Sequence, residues 1–213
     1  MLRLADVDEI AREHRFARTD AIDVLPELSE ALASLVKWDA VLLERGAAER
    51  AICHRLGVYL ETTVNQGRRD GERWHVDCEY NLFASKIGGT EGTDSLRKSM
   101  GVGGIEDEPG VEQAHSVYPD LIVHHRNATT NWLVIEMKVL RPSTKRREIE
   151  FDFRKLTVFQ RCGSGFEYKV AALLLVLRAG VEPHTDTASI AVYTALPSTP
   201  ELAISTIRKG LAT

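Results

Sequence analysis

The stretch that decides the fold is PDLIVHHRNATTNWLVIEMK, which runs from residue 119 to residue 138. Alternating polarity over residues 117–126 predicts one β-strand, and the apolar residues of 132–140 predict a second. The segment between them, 127–131, is rich in residues that favour turns. The sequence therefore predicts an antiparallel hairpin near the middle of the chain.

The register of this hairpin would bring three charged side chains together. A turn centred on Ala128 and Thr129 places Asp120 opposite Glu136, or between Glu136 and Lys138. Side chains two residues apart on a strand share a face, so Glu136 and Lys138 would lie beside Asp120. Two carboxylates and an amine would then converge on a surface from which apolar neighbours exclude water.

Asp120, Glu136 and Lys138 together suit the binding of a divalent cation. Adjacent carboxylates repel each other unless a cation lies between them, and carboxylate oxygens suit Mg²⁺ or Mn²⁺. An ammonium one strand step further on would orient or deprotonate a metal-bound water, or neutralise charge on a phosphate. The alternative is a solvated edge hairpin with an ordinary Glu136–Lys138 pair. Flanking apolar residues favour a central strand, where buried charges need partners.

These residues resemble a known motif. Pro119-Asp120 followed by Glu136-Met137-Lys138 is similar to the signature of the PD-(D/E)XK nuclease superfamily. The resemblance implies a restriction-endonuclease-like α/β fold, an αβββαβ core with a mixed central sheet, and Mg²⁺- or Mn²⁺-dependent phosphodiester hydrolysis. It also implies that Asp120 and Glu136 bind the metal, that the carbonyl of Met137 adds a ligand, and that Lys138 serves the attacking water.

A predicted helix over residues 47–63 carries Glu49 in the middle of its apolar stripe. One interpretation is a first-turn glutamate that turns out to solvent, since a helix N-terminus favours negative charge. The other is a buried carboxylate that faces the site. The resemblance supports the second interpretation, because many members of the superfamily carry an acidic residue on the helix before the first core strand. Glu49 would then be a further metal ligand, directly or through water.

A second helix, predicted over residues 145–161, carries Asp152 and Lys155 inside its apolar arc. These opposite charges are three residues apart, so they either pair with each other or leave Lys155 to reach the metal site or a phosphate. The segment from Asp152 to Leu156 resembles the helix that follows the superfamily's E-x-K strand. The densest basic cluster of the chain begins this region and is expected to contact a nucleic-acid backbone: Lys145, Arg146 and Arg147.

The chain is expected to divide into an N-terminal helical extension, residues 1–45, and a nuclease-like domain, residues 46–213. Within the second part, residues 84–116 are glycine-rich and lack a sustained apolar period, which predicts a flexible insertion. A strand predicted over 74–83 precedes this insertion. Uninterrupted apolar character over 168–178 predicts a strand that is buried on both faces.

Composition limits the class of protein. The 213 residues are 44% hydrophobic and 27% charged, which is typical of a globular chain with one sizeable core. Early charges and the lack of a long apolar run predict a cytoplasmic protein with no membrane partner. The three cysteines have no C-x-x-C spacing, which favours reduced thiols over a zinc site. The net charge of −4 argues against strong unassisted binding to long nucleic acid.

We therefore expect a metal-dependent nuclease, with DNA preferred to RNA and phage defence, repair or mobile-element biology as possible settings. Cutting both strands of a duplex with one site per chain takes two chains, which favours a homodimer or a subunit of a larger complex. Two alternatives remain open. One is a non-catalytic nucleic-acid- or protein-binding module of the same fold, and the other is an unrelated metal-dependent phosphohydrolase for small substrates.

Overall fold

The computed structural model describes residues 2–68, 73–79, 99–100, 115–116, 118–126, 131–160, 168–178 and 188–195. Its helices are α1 (Leu4–Glu13), α2 (Ala21–Val24), α3 (Pro26–Trp38), α4 (Ala40–Glu44), α5 (Glu49–Val64) and α6 (Arg146–Gln160). Its strands are β1 (Phe16–Thr19), β2 (His75–Cys78), β3 (Ser99–Met100), β4 (His115–Ser116), β5 (Leu121–His124), β6 (Asn131–Val139), β7 (Val170–Leu177) and β8 (Ser189–Ala195).

A mixed sheet with the strand order β1-β8-β7-β6-β5-β2 organises the described part of the chain. The strands β2, β5 and β6 are antiparallel neighbours. Helix α6 then carries the chain across to β7, which is parallel to β6, and β8 and β1 extend the sheet in antiparallel fashion. The strands β3 and β4 form a separate antiparallel pair. The predicted α/β class with a mixed central sheet is confirmed.

The register of the β5–β6 hairpin also agrees with the sequence prediction. Leu121 pairs with Ile135, and the ladder stays in step as far as Val123 before a local irregularity. One further step along this register places Asp120 opposite Glu136. The ladder itself is shorter than predicted, because β5 begins only at Leu121 while β6 continues to Val139.

Helices cover both faces of the sheet, so the core has two layers. Alternate residues of β5 and β6 face α3 and α5, whereas the intervening residues face α1 and α6. Strand β7 is buried on both faces, as predicted. The first layer includes Leu28, Leu35, Ile52, Leu56, Leu60, Leu121, Ile135 and Met137. The second includes Val7, Ile10, Ile122, Val134, Ile149, Phe153, Leu156 and Tyr193.

The N-terminal region is less uniformly helical than its periodicity suggests. Helix α1 ends at Glu13, and Arg15 adopts a left-handed φ of 63° that turns the chain into β1. Phe16 is buried against Phe153, with ring centroids 5.0 Å apart, which anchors β1 at the edge of the sheet. The division at residue 45 stays a prediction. The predicted flexible insertion, 84–116, lies outside the described residues except for β3 and β4.

Among the described residues, no helix combines the length and the apolar character that crossing a lipid bilayer requires.

Candidate active site

The candidate site lies where β6 extends beyond β5. The backbone amides of Met137 and Val139 point towards the β5 side of the sheet, where the ladder has already ended. Side-chain carboxylates accept the hydrogen bonds that a longer β5 would have accepted. The amide of Met137 donates to Asp120 Oδ2 over 2.7 Å, and the amide of Val139 donates to Glu49 Oε1 over 2.9 Å. Two acids from distant parts of the sequence are thereby fixed along one edge of β6.

Proline explains why the strand ladder stops there. The β5–β6 register, extended by two residues from Leu121, places Pro119 opposite Met137. Proline has no N–H, so Pro119 cannot donate the hydrogen bond that an antiparallel partner would give to the carbonyl of Met137. Pro119 therefore prevents the ladder from continuing through this position. The carbonyl of Met137 receives no hydrogen bond from Pro119.

Glu49 turns towards the edge of β6 rather than into solvent alone, but it is not the buried carboxylate of the second interpretation. It is the first residue of α5, and its carboxylate reaches both the Val139 amide and Lys138 Nζ, the latter at 3.4 Å. Its side chain is nevertheless 34% exposed. Glu49 therefore lies at the solvent-facing side of the cluster.

Glu136 lies at the bottom of the cluster, in the middle of β6 and facing α6. The residue is only 1% exposed. Its Oε2 accepts a hydrogen bond from Lys155 Nζ over 2.5 Å. Within the described ranges, its Oε1 has no hydrogen-bond partner. An uncommitted oxygen on a buried carboxylate is costly, which marks this position as a candidate for binding something else.

Asp152 on α6 joins the two lysines. Its Oδ1 lies 3.5 Å from Lys155 Nζ, and its Oδ2 lies 3.5 Å from Lys138 Nζ. The second contact is an ion pair without hydrogen-bond geometry. Lys155 therefore pairs with Asp152, as one interpretation expected, and it also contacts Glu136. Asp152 was not predicted to belong to the site, although its position in the apolar arc of the helix was the signal for it.

The protonation equilibria of the cluster favour bound cations. Burial raises the pKa of Asp120, Glu136 and Asp152 above their ordinary values, although the Met137 amide and the lysines partly oppose this. Burial alone would lower the pKa of Lys138 and Lys155, but the surrounding carboxylates outweigh it and raise both. Both lysines are therefore ammonium ions at neutral pH. Because the pKa values of the three acids stay raised, these ammonium ions do not fully compensate the cost of burying the negative charges.

The donor set fits a hard divalent cation, although no cage is already assembled. In the part of the chain that the structure describes, no group of three His, Cys, Asp or Glu side chains is arranged to hold a metal ion. Two of the candidate ligand atoms already have partners, since Lys155 contacts Glu136 Oε2 and the Met137 amide donates to Asp120 Oδ2. The free Glu136 Oε1, the other carboxylates and the Met137 carbonyl are the oxygen ligands that Mg²⁺ and Mn²⁺ prefer.

The predicted basic cluster is exposed to solvent. Lys145, Arg146 and Arg147 are exposed around the start of α6. Arg146 donates to Glu13 over 2.8 Å and to Glu150 over 2.7 Å, so its charge is balanced locally. The structure thus groups Asp120, Glu136, Lys138, Glu49 and Lys155, and within the described residues no hydrogen bond or ion pair joins the three basic residues to this group.

A second polar group occupies the other end of β5. Asp77 accepts hydrogen bonds from Arg126, and it lies 2.8 Å from His124 Nε2. The side chain of Asp77 is only 15% exposed. This pair of contacts connects β2 to β5.

Comparison of the chain with protein-family models, with curated proteins and with solved structures gives no match.

Proposed function

We propose that this protein is a Mg²⁺- or Mn²⁺-dependent nuclease that hydrolyses phosphodiester bonds, with DNA preferred to RNA as the substrate. The observation that carries the proposal is the convergence of Asp120, Glu136 and Lys138 at the point where β6 extends beyond β5. Buried ion clusters contribute little net stability, because the desolvation of each charge offsets its attractions. A cluster of this kind is therefore better explained by function than by folding.

The order of elements supports a restriction-endonuclease-like core. Helix α5 precedes the antiparallel β2, β5 and β6, and α6 crosses over to the parallel strand β7. This agrees with the αβββαβ order that the sequence motif implies. In the proposed assignment, β8 and β1 extend the sheet away from the site.

Four groups would hold the cation in this proposal: the carboxylates of Asp120, Glu136 and Glu49, and the carbonyl of Met137. The bound cation would supply a water of lowered pKa and neutralise charge on the phosphate. Glu136 contributes its uncommitted Oε1, and Asp120 is already oriented by the Met137 amide. The protein thereby orients Asp120 and leaves one oxygen of Glu136 available before a cation arrives.

Lys138 would act as a hydrogen-bond donor and a fixed positive charge. Its contacts with Asp152 and Glu49 keep the amine protonated, so it is poorly suited to accept a proton from water. An ammonium at this position would orient the nucleophilic water and stabilise negative charge that develops on the phosphate. Lys138 and Glu49 are the more exposed members of the cluster, so the substrate would approach from their side.

Binding of the nucleic acid would involve Lys145 and Arg147 more than Arg146, which already pairs with Glu13 and Glu150. The net charge of −4 means that the cation would contribute substantially to affinity for the phosphate backbone. We propose that cleavage of both strands uses a homodimer or a larger complex, which would bring two sites to one duplex.

One observation favours a second candidate function, a non-catalytic binding module of the same fold. Asp120, Glu136, Glu49 and Asp152 each already contact a protein donor or an ammonium. Such a network would persist as a structural feature without a cation. The unpartnered Oε1 of Glu136 is the feature that this second candidate leaves unexplained.

Plasmid cleavage tests the proposal. Purified protein is expected to cut supercoiled DNA with Mg²⁺ or Mn²⁺ and to leave it intact with EDTA. Glu136→Gln should lower the rate by about 100-fold or more, because it removes a charged ligand. The exposed Glu30→Gln on α3 is the matched control and should cut at the wild-type rate. Wild-type protein that cuts neither DNA nor RNA with either metal would favour the binding module.

A further inference from the structure

The ammonium of Lys155 contacts the carboxylate that a divalent cation would need. Lys155 Nζ lies 2.5 Å from Glu136 Oε2, and the two side chains are 10% and 1% exposed. Without this ammonium, Glu136 would be a buried carboxyl with no hydrogen-bond partner that the described residues show for either oxygen. Lys155 therefore already provides the positive charge that the site demands.

A second acceptor for the same ammonium lies one helical turn away. Asp152 Oδ1 is 3.5 Å from Lys155 Nζ, and Asp152 is itself buried. A lysine side chain has four rotatable bonds, so its ammonium can move from one carboxylate towards the other without movement of the helix. Asp152 Oδ2 has no hydrogen-bond partner within the described residues, which leaves that carboxylate with acceptor capacity.

We propose that Lys155 is an internal counter-ion of the site, and that a divalent cation binds by displacing its ammonium from Glu136 onto Asp152. This inference rests on the proposed function, because it concerns the same cation site. Lys155 would keep Glu136 paired in the cation-free protein, and Asp152 would keep Lys155 paired when the cation is present. The proposal also accounts for the lack of a ready-made metal cage among the described residues.

Each contact has a role in this exchange. A cation beside Glu136 repels the Lys155 ammonium, and this repulsion is strong in a poorly hydrated site. Asp152 reduces that cost by accepting the displaced charge. Lys138 contacts Asp152 through the other oxygen, Oδ2, so Asp152 Oδ1 stays available to Lys155. Lys155 is thus a positioning residue that sets the affinity of the site for its cation.

Calorimetric titration with Mg²⁺ and with Mn²⁺ tests the exchange without a cleavage assay. Lys155→Met removes the competing charge and keeps the length of the side chain, so it is expected to bind the cations at least about tenfold more tightly than wild type. Lys155→Arg, which keeps the charge, should show no such gain. Equal or weaker binding by Lys155→Met would overturn the proposal. If Lys155→Met does not fold, Lys155→Gln carries the same comparison.

The substitution Asp152→Asn provides an independent test of the exchange. In the wild-type background it removes the charged acceptor for the displaced ammonium, so cation binding is expected to weaken several-fold. In the Lys155→Met background no ammonium moves, so the same substitution should have a clearly smaller effect. Equal effects in the two backgrounds would show that Asp152 acts on the cation directly and would contradict the exchange.

The outcomes separate this proposal from the nuclease assignment. Wild-type protein that binds Mg²⁺ and cuts DNA, with no tighter binding by Lys155→Met, contradicts only the counter-ion role. Tighter binding by Lys155→Met in a protein that cuts no nucleic acid supports the exchange and contradicts the nuclease. Absence of cation binding in both proteins contradicts both.

Discussion

At the scale of single residues, the central feature is a set of carboxyl groups whose ionisation is disfavoured because the fold buries them. Burial raises the pKa of Asp120 above the ordinary value of 3.8, and it raises that of Glu136 further above its own. The nearby ammonium ions reduce this penalty without removing it. The site therefore destabilises the folded state of the cation-free protein, and a bound cation would restore that stability.

Asp120→Asn should reveal this penalty in the cation-free protein. The folded state holds the Asp120 proton more tightly than the unfolded state, so wild-type stability falls as pH rises from about 4 through the folded-state pKa. Asparagine cannot ionise but can still accept the Met137 hydrogen bond. The variant should therefore gain in free energy of unfolding, relative to wild type, between about pH 4.5 and about pH 8. Urea unfolding in EDTA at the two pH values measures the difference.

Asp39→Asn is the control with the opposite sign. Hydrogen bonds from Tyr59 and Arg55 lower the pKa of Asp39, so its carboxylate stabilises the fold above the unfolded-state pKa and loses that effect as pH falls. This variant should lose stability relative to wild type by a similar amount at about pH 4.5 and at about pH 8, because both values lie above the unfolded-state pKa of about 3.9. A difference between Asp120→Asn and wild type that does not change with pH would contradict the assigned cause.

Much of the site at this scale follows from local patterns. The alternation of a strand and the position of the turn suffice to bring Asp120, Glu136 and Lys138 together, because hairpin pairing is local in sequence. The pairing of Lys155 with both Glu136 and Asp152 needs the crossing position of α6 over the sheet. That position depends on packing between distant elements, so the sequence left two partners open for Lys155.

At the scale of elements, close packing of α5 against the sheet determines where Glu49 lies. Gly57 permits this approach, because a Cβ at this position would lie 3.1 Å from Leu121 Cδ1 and 3.5 Å from Cys78 Sγ. A larger side chain would push α5 away from β5 and would carry Glu49 away from the edge of β6. The glycine thus connects helix packing to the geometry of the site.

Substitution of Gly57 tests this connection. Gly57→Ala should stay within about 1 kcal/mol of wild type, since the higher helix propensity of alanine offsets a small shift of Leu121. Gly57→Leu should lower the free energy of unfolding by about 2 kcal/mol through overpacking. Val58→Leu, at an exposed neighbouring position, is the control and should be close to neutral. Urea denaturation followed by circular dichroism measures all three, and a Gly57→Leu protein as stable as Gly57→Ala would contradict the packing argument.

Elements formed by local patterns were predicted better than those formed by distant pairing. The amphipathic period predicted α5 and α6, and the continuous apolar run predicted β7. Strand β1 was missed, since its four residues FART carry little strand pattern and their partner is β8, near the other end of the described chain. The N-terminal helical period continues only to Glu13, because the left-handed Arg15 redirects the backbone.

At the scale of the whole molecule, the members of the cluster differ in their exposure to solvent. Glu136, Asp152 and Lys155 are nearly inaccessible, whereas Glu49 and Lys138 are 34% and 18% exposed. A metal ion and a phosphate would therefore meet the site at its Glu49–Lys138 side. The acidic net charge makes the basic surface around Lys145 and Arg147 the place where a nucleic acid would first be attracted.

The measurement that tests the central claim most directly is the rate of Mg²⁺-dependent DNA cleavage by Lys138→Ala at saturating cation. The amine is not a cation ligand, so its loss should remove stabilisation of the transition state and lower the rate by about 100-fold or more while Mg²⁺ binding persists. Lys169→Ala, which removes an exposed lysine at the start of β7, should cut at the wild-type rate. Cleavage by Lys138→Ala at the wild-type rate would contradict the claim that this cluster performs phosphodiester hydrolysis.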